Sequence, residues 1–584
     1  MFSRVNSAAI VGVTSRHVTV EADISDGLPM FHMVGYLASE VREASERVRS
    51  ALRNSNVRLP VRHITVNLAP ADLRKEGCSF DLPIAIAVLD GFGFFPAGTL
   101  DGILFLGELS LGGQVCPIRG ALEIVSHAQD YGCHTVILPH RNLTEGSVIR
   151  GVRVLGADCL MDVIDWLRET GACPPLPPDV TYQPVREGTL SPSADGPVIL
   201  PSPNTARIDT SDRHAKRTSP GTVSRNASSD TNAAAAGARP LLYRETVDID
   251  AIRRRQALQC REDFSELRGQ PHLRRASEIA VAGFHNLLMV GPPGAGKTMA
   301  AQRIPTILPE TTLEEALEIT KIHSIAGTLP DGCGLMTRRP FRSPHHTISG
   351  PALAGGGSPP RPGEVSLAHR GILYLDEIAE FKTDTLEILR QPLEDGRINI
   401  SRVTGNFPFP ARFMLVASMN PCKCGYFPDM RRCTCTRRSI RLYQSHISMP
   451  LLDRIDLCAD ARPVEYEDLT GESAEECSAS IRARVLRARE RQEARYAGTP
   501  YCFNAELDTD GIERYCVLTP PARRAMEAAY RRMGLTVRSY CRILKVARTI
   551  ADLDGSDLVA EHHLAEALRF KPVDRRYWDR GAAA

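Results

Sequence analysis

No apolar run in this 584-residue sequence approaches the roughly eighteen residues that a membrane-spanning helix requires, so no such helix is expected. The start, MFSRVNSAAIVGVTSR, also lacks the long apolar core and small-residue cleavage site of a secretory signal, and a cytoplasmic protein without a membrane partner is expected. Net charge is almost absent: 71 Lys and Arg against 69 Asp and Glu leave +2. Without a global basic field, any contact with nucleic acid must rest on local patches. No internal repeat is visible. Cysteine, by contrast, is not scarce, and in a cytoplasmic chain the sixteen residues read as buried thiols or metal ligands rather than disulfides.

A chain this long exceeds one hydrophobic core, and about three or four domains are expected. From Pro174 to Arg239 the composition shifts to Pro, Ser, Asp and Ala with few aromatics, which is that of a disordered linker. The expected division is an N-terminal domain at 1–172, a linker at 173–240, a nucleotide-binding core at 241–462 and a helical domain at 463–584. In the first domain Val18, Val20, Ala22 and Ile24 alternate with polar residues at the period of a half-buried strand. Val41 to Asn54 reads as an amphipathic helix, Arg62 to Leu68 as a strand, Leu82 to Leu89 as a buried helix, and Ile103 to Val115 as a hairpin around Gly112-Gly113. That domain is therefore α+β, with helices against a mixed sheet. Helical and strand-like segments alternate from the next domain up to Leu457, as in an α/β sheet. From Ala474 the pattern turns helical, over Ser478 to Tyr496, Pro520 to Ala551 and Val559 to Phe570.

The chemistry concentrates at Gly291-Pro292-Pro293-Gly294-Ala295-Gly296-Lys297-Thr298, which follows the apolar run Leu287 to Val290 and opens a helical segment. Glycines let the backbone close around a polyphosphate, so that successive N–H groups and the helix start face the anion. Lys297 reaches the β- and γ-phosphates and the Thr298 hydroxyl ligates Mg²⁺ in such loops, which implies ATP and Mg²⁺ as cofactors. Gly371-Ile-Leu-Tyr-Leu-Asp376-Glu377 is an apolar strand ending in two acids. Asp376 suits Mg²⁺, and Glu377 suits polarisation of the attacking water. A further apolar strand, Phe413 to Met419, ends in Asn420, an amide placed to orient that water as sensor 1.

Leu451-Leu-Asp-Arg454-Ile-Asp456 carries an arginine between acids. It reads as an arginine finger, which acts on the phosphate of a neighbouring subunit, or as a local ion pair with Asp453 or Asp456. Arg538 and Arg542 lie four apart on one helix face, and Arg538 is the preferred candidate for sensor 2.

These motifs, in this order, resemble the AAA+ ATPases with a helix-2 insert. More narrowly, Pro340-Phe-Arg-Ser-Pro-His-His346, Gly355-Gly-Gly357, Pro362-Gly-Glu364-Val-Ser-Leu-Ala-His369 and Arg542-Ile-Leu-Lys-Val-Ala-Arg-Thr-Ile-Ala-Asp552 resemble the magnesium-chelatase-like ComM/YifB family over all but the linker. The resemblance implies a hexameric ring, a homo-oligomer that hydrolyses ATP and acts as a helicase on single-stranded or branched DNA. The resemblance further implies that this helicase promotes branch migration in recombination and natural transformation. Pore elements are then expected around Arg338 to Pro362 and in a hairpin at Arg397 to Pro410, where Arg397, Arg402 and Phe407 either contact DNA or are merely solvated.

In the N-terminal domain Arg74-Lys-Glu-Gly77-Cys78-Ser79, with Ile103 to Gly120, resembles the proteolytic domain of Lon-type ATPases. That family activates its serine with a lysine after a Pro-Ile-Gly-Gly-type turn. Here the turn reads Pro117-Ile-Arg-Gly120-Ala121-Leu122, with leucine in the place of lysine. A Lon protease-like fold without peptidase activity is expected. The overall fold class is thus multidomain α/β: a Lon protease-like α+β domain, an AAA+ P-loop core and a C-terminal helical lid.

After Asn420 come Cys422-Lys-Cys424 and Cys433-Thr-Cys435, two CxC pairs separated by eight residues. Four such thiolates form a tetrahedral zinc site, or they remain reduced thiols. Arg431, Arg432, Arg437, Arg438 and Arg441 flank them and suit either DNA or a neighbouring subunit. Arg484, Arg487, Arg491 and Arg495 form a basic stripe read as a solvated or lid-packing face. Two other functions share the same motor, a chelatase-type remodeller of a protein partner and an ATP-dependent protease. The missing lysine argues against the protease, and the absence of a von Willebrand-type metal-binding domain argues against the chelatase.

Overall fold

A computed structural model describes residues 1–170, 181–182, 241–257, 262–330, 332–402, 405–466 and 475–570. The expected linker at 173–240 lies outside these residues, apart from Thr181–Tyr182, which pairs with Val57–Arg58. β1 (Phe2–Val11) turns at Gly12-Val13 and returns as β2 (Thr14–Ser25), antiparallel from Phe2 opposite Asp23 to Val11 opposite Thr14. The alternation in β2 buries Val18, Val20, Ala22 and Ile24, as a period of two requires. β3 (Met30–Val34), α1 (Ala44–Asn54), β4 (His63–Ala69), α2 (Asp81–Gly91), β5 (Ile103–Phe105), α3 (Ala121–Ser126), β6 (Thr135–Pro139), β7 (Arg153–Ala157) and α4 (Leu160–Thr170) complete the N-terminal unit.

Its seven-stranded mixed sheet runs β7-β6-β5-β1-β2-β4-β3. Val5 and Ala9 of β1 share a core with α1, α2 and α4 on one face, while Ala8 packs with Ile124 and Val125 of α3 on the other. Helix α2 is apolar and buried between its two acids, Asp81 at its start and the half-buried Asp90 near its end. The fully buried Asp81 at its start is held by Arg47 Nε at 2.7 Å and Nη2 at 2.9 Å and by the Leu109 N–H at 3.2 Å. Two expectations need correcting. The helix expected from Val41 is broken at Glu43 into Ser39–Arg42 and α1. Of the hairpin expected over Ile103 to Val115, only Glu108–Leu109 and Val115–Cys116 pair. Ile103, Leu104 and Phe105 are all buried, and they enter the main sheet between β1 and β6, where both faces are covered.

The second unit begins with α5 (Pro271–Gly283), β8 (Leu287–Val290), α6 (Lys297–Arg303), α7 (Leu313–Ala326), β9 (Phe341–Arg342) and β10 (Ile372–Leu375). There follow β11 (Arg397–Arg402), β12 (Gly405–Pro410), β13 (Met414–Met419), α8 (Arg437–Gln444) and β14 (Leu457–Asp460). Five strands form a sheet in the order β9-β10-β13-β8-β14, every neighbouring pair parallel. Parallel strands bring all their C-terminal ends to one edge, and this edge carries the phosphate loop. Further helices toward the C-terminus include α9 (Ser478–Tyr496), α10 (Pro520–Met533), α11 (Val537–Leu553) and α12 (Glu561–Arg569). Ile481 and Val485 of α9 and Ile543 and Ala547 of α11 share one core with Ile279 of α5 and Leu287 of β8.

Of the basic stripe of α9, Arg487 is exposed and the other three arginines are engaged by protein. Arg484 pairs with Glu278 and Glu476, Arg491 with Asp557, and Arg495 with Asp552. Asp552 also receives Arg548, and neither side chain of that pair is exposed. Removing one partner leaves an uncompensated buried charge. Asp552→Ala is therefore expected to destabilise the fold by about 3 kcal/mol or more in denaturant unfolding.

Among the described residues, contacts between the two units include those of α7 and of the β11–β12 hairpin. Lys321 of α7 pairs with Glu123 at 3.0 Å, and Ser324 of α7 accepts the Gly120 N–H at 3.0 Å while donating to Glu145. The β11–β12 hairpin lays the half-buried Phe407 ring on the Gly12-Val13 turn. Phe407 is thus engaged in part by protein, because an apolar ring gains from that packing. Arg397 and Arg402 stay exposed. No helix among the described residues is long and apolar enough to cross a membrane.

Candidate nucleotide site

The site assembles where β8, β10 and β13 end. Gly291 leaves β8 with its N–H donated to the Met419 carbonyl at 3.2 Å, so the loop starts as an extension of the sheet. Gly296 caps α6 at a φ of 79°, a left-handed conformation that glycine adopts without the steric cost a Cβ brings. This bend starts the helix at Lys297. Lys297 Nζ donates to the Gly291 and Pro292 carbonyls, each at 2.8 Å, and to Asn420 Oδ1 at 3.0 Å. Burial pushes its ammonium down to about 8, while Asp376 and Glu377 pull in the opposite direction. The loop lysine and the expected sensor 1 therefore meet directly, although 123 positions separate them.

Thr298 Oγ1 donates to Asp376 Oδ2 at 3.1 Å, which brings together the hydroxyl and carboxylate that fit a hard divalent cation. Ser418 donates to the other oxygen of Asp376, from a strand whose Ala417 lies opposite Leu375. Glu377 stands at φ 51°, ψ 51°, outside the range a side chain prefers. Such strain costs about 1–3 kcal/mol and persists where the surroundings impose it. Here the Glu377 N–H is held by Asp376 Oδ1 at 3.1 Å and Ser418 Oγ at 3.2 Å. The result turns the second acid out of the strand direction, beside the first.

The two expected arginines lie elsewhere. Asn286, just before β8, donates Nδ2 to the Arg454 carbonyl at 2.8 Å and its N–H to Asp456 at 3.0 Å. Arg454 thus sits at the N-terminal edge of the sheet, one strand length or about 13 Å from the edge that carries its own phosphate loop. Its guanidinium bonds the Arg390 carbonyl at 3.1 Å, the Pro450 carbonyl at 2.7 Å and Glu394, rather than Asp453 or Asp456. Arg542 lies 3.7 Å from Asp456 on the same edge, and Arg538 is exposed one helical turn earlier. A cavity of about 560 Å³ opens there, lined among others by Glu394, Arg412, Arg454, Asp456, Arg542 and Lys545.

Beyond Asn420, the sulfurs of Cys422, Cys424, Cys433 and Cys435 all lie within 4.8 Å of one another. In the N-terminal unit Ser79 is half-buried just before α2, and Leu122 is fully buried against Val148, Ala316 and Leu335. No base occupies the Leu122 position.

Sequence reasoning missed Ser418 and Glu394, which orient Asp376 and Arg454. The first leaves a trace, a serine two residues before Asn420 in an otherwise apolar strand. The second leaves none, because the contact crosses 60 positions.

Comparison with known proteins agrees with this arrangement along the chain. The family model described as subunit ChlI of Mg-chelatase matches residues 20–142, that of magnesium chelatase, subunit ChlI, matches 263–469, and that of the subunit ChlI C-terminal region matches 475–571. The chain is 37% identical to the competence protein ComM of Haemophilus influenzae over 573 residues, covering 98% of this chain and 97% of that one. It is 38% identical to YifB of Escherichia coli over 576 residues, with coverage of 98% and 97%. The magnesium-chelatase 38 kDa subunit of Rhodobacter capsulatus is 25% identical over 176 residues, which span 27% of this chain and 50% of that subunit.

Proposed function

The chain belongs to the magnesium-chelatase-like ComM/YifB family of AAA+ ATPases, and from that premise we propose that it is a ring-forming DNA motor. In this reading ATP and Mg²⁺ bind at Gly291 to Thr298 and Asp376. Glu377 activates water, Asn420 orients it, and hydrolysis drives a helicase that promotes branch migration on single-stranded or branched DNA. The observation that carries the ring is the position of Arg454. A finger at the N-terminal edge of the sheet lies too far from its own phosphate loop to touch it, so it is useful only to a neighbouring copy. Arg538 and Arg542, on the same edge, suit the same nucleotide. A hexamer accords with the family's AAA+ character.

The DNA substrate is supported by the exposed arginines beside the cysteine cluster, Arg431, Arg432, Arg437, Arg438 and Arg441, and by exposed Arg397 and Arg402 on the hairpin. The relative named as a competence protein supports a role in DNA uptake and recombination. The N-terminal unit is read as a Lon protease-like module without peptidase activity, since a buried leucine, not a lysine, stands at position 122.

Strand displacement on forked and Holliday-type DNA tests this reading. Wild type is expected to separate strands with ATP, and Lys297→Ala and Glu377→Gln are expected not to. ATP hydrolysis by wild type without binding or movement of DNA would sink the helicase reading and favour a remodeller of a protein partner.

A further inference from the structure

We propose that Cys422, Cys424, Cys433 and Cys435 hold a zinc ion, and that the knuckle folded around it braces the phosphate loop. The geometry is that of a ligand set. Sulfur separations are 3.3 Å between Cys422 and Cys424, 3.5 Å between Cys424 and Cys433, and 3.7 Å between Cys422 and Cys433. A disulfide needs about 2.05 Å, whereas a tetrahedron of 2.3 Å zinc–sulfur bonds spaces its sulfurs by about 3.8 Å. Each of the four cysteines is free of disulfides. The Phe427 N–H points at Cys422 Sγ at 3.4 Å, the kind of second contact that orients a thiolate ligand.

The local chain needs such a crosslink. Between β13 and α8 the backbone forms turns only, and its small apolar cluster is built from the four cysteines with Tyr426, Phe427 and Ile440. That is little burial for a loop of this length. Metal binding supplies ordering energy where a core does not, and four soft thiolates select zinc over the hard Mg²⁺ of the neighbouring site.

The knuckle touches the nucleotide machinery in two ways. Cys422 follows Asn420 after a single proline, and that proline's carbonyl is held by Gln444 Nε2 at 3.0 Å. Gly425, at φ 84°, lies against Pro293 of the phosphate loop, so closely that a Cβ there would stand 2.4 Å from Pro293 Cδ. Zinc would therefore fix both the wall behind Pro293 and the anchor of Asn420, which receives Lys297. The brace rests on the reading of Gly291 to Thr298 as the ATP cradle, but the metal site does not.

Three measurements on this chain decide the proposal. Elemental analysis of protein purified with zinc available is expected to find a single zinc per chain, lost in Cys433→Ser. Cobalt reconstitution of the wild type is expected to give thiolate-to-metal charge-transfer and strong tetrahedral d–d bands. Absence of bound metal and of the cobalt–thiolate spectrum would overturn the site, and iron in place of zinc would overturn the metal. For the brace, binding of a fluorescent ATP analogue is measured in Gly425→Ala, which keeps all four cysteines. Its zinc content is expected to be unchanged and its affinity roughly five- to a hundredfold weaker, the range spanned by the strain of a Cβ at positive φ. Unchanged affinity would overturn the brace. Failure of the wild type to bind the analogue would instead count against the ATPase reading, with the metal analysis still deciding the site.

Discussion

An Arg454→Ala chain is expected to bind ATP normally and to lose its turnover by about 10³-fold or more, the contribution of an arginine finger to charge stabilisation in phosphoryl transfer. The argument is positional. Arg454 enters β14 at the edge of the sheet opposite Lys297, and Asn286 ties its backbone to the start of β8, whose far end begins the loop. Removing it therefore leaves the chain's own cradle intact. Its partner Glu394 is 60% exposed, so the loss leaves no buried charge and the fold is expected to persist. The decisive measurement mixes Arg454→Ala with Lys297→Ala chains, each inactive alone. In a mixed ring some interfaces pair an intact Lys297 with an intact Arg454, and part of the turnover returns. No recovery on mixing, with mixed assembly verified, would show that Arg454 does not serve a neighbour's site.

Glu377→Gln is expected to lower turnover by about 10²–10⁴-fold while nucleotide binding survives, as loss of a general base predicts. Glutamine keeps the size of the side chain, and the backbone contacts of residue 377 to Asp376 and Ser418 do not involve its carboxylate. The change therefore isolates the chemistry. Turnover in excess of a tenth of wild type would assign water activation to another group. A simultaneous fall in ATP affinity would point to disturbed metal binding at Asp376 instead.

Much of this was legible because it is local. The strand Leu287 to Val290, the glycines after it, the apolar strand ending in Asp376 and Glu377, and the strand ending in Asn420 all lie where their patterns place them. Helix α9 occupies Ser478–Tyr496, as its periodicity implies. Local patterns failed where burial on a second face outweighed them. Ile103 to Phe105 left the expected hairpin for the middle of a sheet, and the packing of Phe407 on the β1–β2 turn had no local signal. Neither neighbour is close in sequence.

By itself the sequence determined the cradle, its acids, its amide and the two cysteine pairs, because each depends on residue types at short fixed spacing. Only the tertiary structure decided which of them lie together. The parallel order of five strands brought Lys297, Asp376 and Asn420 to one edge and sent Arg454 to the other, and it pressed Gly425 of the cysteine loop onto Pro293. Those relations depend on strand order and direction, which are set by the burial of both faces of the sheet and not by any stretch of neighbouring residues.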